Sequence, residues 1–230
     1  PVLTALLHGY DYENIKDIGA AISLKESKLP EINRINPFNL INYDKWPDLK
    51  AMTAETPLEW YSSAVDIKDQ HLINHKIDCQ NVIEMIKALD KVELSCRKDV
   101  KKLVSEKLII ENIVWALRLR LYYNMSSEEI IPLLAYSTSE KDLKDYLVQD
   151  ALKVLDLPLD DHDSWKKWKY SRLLNPHDEG SPWTVDPGWI ATAFKTVYVG
   201  KARRMFHQYP FTCCPIVCWF IIKQDELDNI

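Results

Sequence analysis

The chain has 230 residues, 47% apolar and 27% charged, enough to bury a substantial core as one large or two smaller domains. Its formal net charge of −5 gives no reason to expect a nucleic-acid partner, and no apolar run reaches the ~18–20 residues of a membrane span. Only five glycines are present, scattered, too few for the turns of a β-sandwich or for a phosphate-cradling loop.

In chain order, apolar residues from Leu3 to Ile22 recur at helical spacing and predict a helix over Val2 to about Lys28, closed by Pro30. An Asn- and Pro-rich loop follows to about Thr53, its apolar residues expected to clip onto the body. "TPLEW" reads as a helix start, with Thr56 as cap, Pro57 at the first position and Glu59 as reciprocal partner. A long helix from Asp66 to about Leu89 comes next, then an unusually long one over Ser95–Asn124. Ser126 and Glu129 form a capping box for a short helix, Ser139 starts another that ends near Asp156–Pro158, and "DSWKKWKYSRLL" is a further short helical segment. A Pro- and Trp-containing loop covers Asn175–Trp189. Pro187 suits the first turn of a helix to His207, and Pro210 separates it from the last helix. The fold class is all-α.

The triplet acid–Asn–Ile occurs three times, at Asn14, Asn112 and Asn229, each time after an apolar residue. Two residues earlier stand Tyr12, Ile110 and Leu227; eight earlier stand Leu6, Val104 and Ile221. The three helices therefore share a packing stripe. Asparagine is a mediocre helix-interior residue, so its recurrence predicts an inter-helix hydrogen bond at an equivalent place in three similar units. The units lie too far apart for a standard solenoid and suit three helical sub-bundles, divided as 1–53, 54–156 and 157–230. The chain opens on Pro1 and stops inside a helix-like run at Ile230, so further sequence is expected at one or both ends.

The search for chemistry finds no Gly-rich phosphate loop, GxSxG, HExxH or CxxC. His71 and His75, four apart, could share a metal, but no glutamate stands between them as a catalytic base. "CCPIVC" with His207 matches no zinc spacing, and the five cysteines read as reduced thiols of a cytosolic protein. "SWKKWKY" is explained by packed Trp under snorkelling lysines as well as by a nucleic-acid platform. Arg118 and Arg120 interrupt an apolar helix, and Arg203 and Arg204 stand in "GKARRMFH"; paired internally or facing a partner, these four are the candidate interaction residues.

"DYENIKDI", "IENIVWALRLRLYYNMSSEEIIPLLA" and "YPFTCCPIVCWFIIKQDELDNI" resemble the three repeated helical signatures of the V-type ATPase family of C subunits, known in eukaryotes as d subunits. The resemblance implies a funnel of three pseudo-threefold helical bundles with neither catalytic residues nor cofactor. It implies a cytoplasmic collar attached peripherally to the membrane through the ATPase complex, between the central-shaft subunits and the membrane rotor ring. Torque would pass through it while ATP and ions bind elsewhere. The competing readings are a free-standing helical scaffold and a metal-dependent enzyme built on His71 and His75.

Overall fold

In the computed structural model, residues 1–178 and 180–229 are described; Glu179 and Ile230, the last member of the third triplet, lie outside the described residues. Among the described residues all regular structure is helical, in two compact units, 1–91 and 92–230. This is a division by packing, whereas that at 53/54 and 156/157 is one by repeat.

The first unit is built on α1 (Val2–Ser23), whose C-terminal half buries Tyr12, Ile15 and Ile18. It ends earlier than the sequence pattern predicts, and Pro30 is not the cause. Lys25 takes a left-handed conformation (φ 58°), its N–H bonding Ile22 O and the Glu26 N–H bonding Ala21 O, which closes the last turn. The following loop does clip onto the helix: Ile41, Tyr43, Leu49, Met52, Leu58 and Tyr61 share one core with Tyr12, Ile15 and Ile18. Within it a short helix, α2 (Leu49–Thr53), is capped by the Asp48 carboxylate. The helix expected at "TPLEW" does not form. The Thr56 hydroxyl accepts from the Leu58 N–H as a turn would, and Leu58 and Tyr61, both buried, pull the backbone into the core instead of along an axis. α3 (Gln70–Leu89) packs on α1, starting later than Asp66, whose carboxylate caps a turn at the Lys68 N–H. Gly19 makes room for the loop residue Tyr61, because a Cβ there would lie 2.0 Å from the Tyr61 hydroxyl. Lys16 ties the two helices, 2.9 Å from Glu13 and 2.5 Å from Asp78.

The second unit is organised around α4 (Leu94–Tyr122), 29 residues and about 43 Å long. It buries residues on several sides because α6 (Gln149–Leu155) and α8 (Pro187–Met205) both pack against it. α5 (Ser127–Ile130) starts on the expected capping box of Ser126 and Glu129. The helix expected from Ser139 begins only at Gln149. Asp145 accepts from the Ser137 hydroxyl (2.7 Å), the Ser137 N–H (2.6 Å) and the Leu147 N–H (2.9 Å), holding this stretch as consecutive turns. "DSWKKWKYSRLL" holds a short α7 (His162–Trp165) and a 3-10 turn over Ser171–Leu173. Trp165 and Trp168 are buried edge-to-face at 5.2 Å, so this segment is core. Asp186 caps α8 through the Gly188 and Trp189 N–H groups, and Lys201 of α8 reaches Glu106 of α4 at 2.5 Å. α9 (Cys214–Asp228) packs on α8 and touches α4, leaving Ile216, Trp219 and Leu227 exposed.

Candidate functional site

Two of the three repeated asparagines perform the same task. Asn14 in α1 and Asn112 in α4 are both buried, at 3% and 4% exposure. The Asn14 side chain donates to Asn33 O (2.8 Å) and accepts from the Asn33 N–H (3.0 Å), gripping both polar groups of one residue in the following loop. Asn112 does the same to Ala135, at 2.8 Å for each bond. The second amide hydrogen of each reaches further along its loop, from Asn14 to the Tyr43 hydroxyl (2.8 Å) and from Asn112 to Leu147 O (3.0 Å). The recurrence is thus a clamp from helix to loop backbone, not the helix-to-helix bond expected from the sequence. A carboxamide suits it, because one planar group offers the acceptor and donor that a peptide unit needs. Asn229, exposed at the end of α9, bonds instead to its own turn at Asp225 O (2.6 Å).

The first clamp is backed by a charge. Asp11, buried one turn before Asn14, accepts from the Leu40 N–H (2.6 Å) and from the Tyr43 hydroxyl, which itself accepts from Asn14. Burial raises the Asp11 carboxyl above its ordinary range, against those hydrogen bonds, and burial with the Asp11 contact raises the Tyr43 hydroxyl as well. In the second unit Asp150 bridges Lys153 (2.8 Å) and Lys169 (2.9 Å).

The four candidate arginines separate. Arg118, Arg203 and Arg204 are exposed. Arg120 is half-buried and donates to Val154 O (3.2 Å) and Leu157 O (2.5 Å), so it caps the carbonyl end of α6. Of the two readings open from the sequence, Arg120 is thus paired internally, with backbone carbonyls as its partners.

The histidines serve local ends: His71 Nδ1 lies 2.8 Å from Lys68 O, and His75 Nε2 lies 3.5 Å from Cys79 Sγ. His207 is exposed and stacks edge-on with Phe206. All five cysteines are thiols. Cys214 and Cys218 are buried with their sulfurs 3.9 Å apart, whereas Cys213 meets Glu93 and Cys96 at the start of α4. The Glu93 carboxyl is held below its usual range by the Cys213 thiol that donates to it, and burial with that same contact pushes the Cys213 thiol up to about 12. Sequence spacing concealed this trio, since Glu93 and Cys96 lie far from Cys213 along the chain.

No helix among the described residues is long and apolar enough to cross a membrane. The family described as ATP synthase (C/AC39) subunit matches residues 1–230, the full length of the chain. A curated protein of Treponema pallidum (strain Nichols), itself named only as an uncharacterized protein, is 25% identical over 229 residues, covering 100% of this chain and 67% of its own length. No solved structure matches.

Proposed function

Because the chain belongs to the ATP synthase (C/AC39) subunit family, we propose that it is the non-catalytic collar of a V-type ATPase or ATP synthase, coupling the rotating central shaft to the membrane ring of ion-carrying subunits. The collar sits at the cytoplasmic side of the membrane and is held there by the complex. The observation that carries this reading is the repeated asparagine clamp. A collar around an axis needs like-built units, and α1 and α4 each grip the loop that follows them by the same bonds. On this reading residues 157–230 form the third unit, whose last helix α9 leaves apolar residues exposed and ends at Asn229, and the three units surround the shaft with approximate threefold symmetry. Packed helices suit the task because they transmit load with little compliance.

Arg118, Arg203 and Arg204 are the contacts proposed for the shaft, and Arg120 holds the end of α6. The test is binding of the purified chain to shaft subunits and to the isolated ring, with charge reversal of each arginine to Glu. Reversal at the three exposed positions should weaken shaft binding with the melting temperature nearly unchanged, because rim charges tune association more than stability. Reversal at Arg120 should lower stability. Calorimetric titration with ATP and magnesium should be flat. A chain that binds neither shaft nor ring is a free-standing scaffold, and the proposal fails.

A further inference from the structure

Glu93, Cys96 and Cys213 place one carboxylate oxygen and two sulfurs within 4.8 Å of one another, a grouping found nowhere else among the described residues. Glu93 is the residue before α4 and Cys96 lies in its first turn, while Cys213 is the residue before α9. Two helix starts therefore face the same point.

We propose that these three side chains form a binding site for a thiophilic divalent cation of the zinc class, clipping the start of α4 to the start of α9. The donor set selects the ion: two sulfurs exclude magnesium and calcium, which demand oxygen ligands, and favour zinc. Zinc binds sulfur at about 2.3 Å and carboxylate oxygen at about 2.0–2.2 Å, so tetrahedral donors stand roughly 3.3–3.8 Å apart. No pair need close by more than about 1 Å, within reach of side-chain rotation. Burial grades across the trio, from buried Cys96 through half-buried Cys213 to exposed Glu93. The ion is thus gripped from the protein side and keeps a position open to water beside the carboxylate. Binding is an exchange, in which the metal takes the places of the Cys96 and Cys213 thiol protons and the protons pass to solvent. No electron transfer is involved.

The full chain, reduced and treated with a chelator that is then removed, is titrated with cobalt(II) as the spectroscopic probe. A thiolate-to-cobalt charge-transfer band should grow to one equivalent and vanish when zinc is added. Zinc should also raise the melting temperature, because a ligand that binds only the folded state stabilises it. Cys213→Ser should cut the band to about half or less, and Glu93→Gln should weaken zinc binding at least about tenfold, while Cys79→Ser leaves both unchanged. Cys213 and Glu93 are the informative positions, because neither is fully buried and circular dichroism can verify that both variants retain wild-type helicity. Absence of the band in the unaltered chain overturns the proposal. So does a band of undiminished intensity in Cys213→Ser, which would place the metal on other thiols.

Discussion

Asn14 and Asn112 each satisfy the N–H and the C=O of a residue that belongs to neither helix nor strand. Replacing either by alanine removes three hydrogen bonds and leaves partly buried loop backbone groups unpaired. Each substitution should therefore cost about 2–4 kcal/mol. Asn229→Ala, at an exposed position bonded to its own turn, should change stability by less than about 0.5 kcal/mol. Urea denaturation of the three variants checks this, and equal losses at all three positions would contradict it. Asp150 gives a pH signature. Burial works against its ionisation, but hydrogen bonds from Lys153 and Lys169 outweigh burial and hold the carboxyl below its ordinary 3.8. A group depressed in the folded state contributes stability above its unfolded value and loses it as pH falls through the folded one. Asp150→Asn should accordingly flatten the loss of melting temperature below about pH 4. Asp11, raised by burial, acts in the opposite sense: its contribution grows as the pH falls towards 3.8.

At the level of elements, the long helices were legible and the short ones were not. α1, α3, α4, α8 and α9 carry apolar residues at helical spacing over many turns. "TPLEW" and the stretch after Ser139 carry equally good start signals, yet Leu58 and the Asp145 carboxylate bend them into turns. A cap proposes a helix; the core decides whether it continues. The Asn recurrence was visible, but its partners were not, since the clamp reads loop backbone and leaves no mark on Asn33 or Ala135. Arg120 was singled out with three other arginines, but nothing local pointed to the end of α6 as its partner. The close of α1 offers a direct test at this scale. Lys25 holds a left-handed backbone conformation that costs a side-chain-bearing residue about 1–2 kcal/mol relative to glycine. Lys25→Gly should stabilise the first unit by about 1 kcal/mol, less whatever the freer unfolded chain takes back. Thermal unfolding measures the sign.

For the whole molecule, the clamps mean that each compact unit is closed by bonds made within itself. The Asn33 and Ala135 amides lie in loops, where hydrogens ordinarily exchange with solvent almost at once. Here each donates to a carboxamide oxygen rooted in a buried helix, so its hydrogen is released only when that loop lifts from its own unit. In deuterated water these two amides should exchange orders of magnitude more slowly than their exposed loop neighbours Arg34 and Thr138. Asn14→Ala should accelerate exchange at Asn33 and leave Ala135 unaffected, and Asn112→Ala should do the reverse. Two single hydrogens, read by NMR or mass spectrometry, would then report the opening of the two halves of the chain separately.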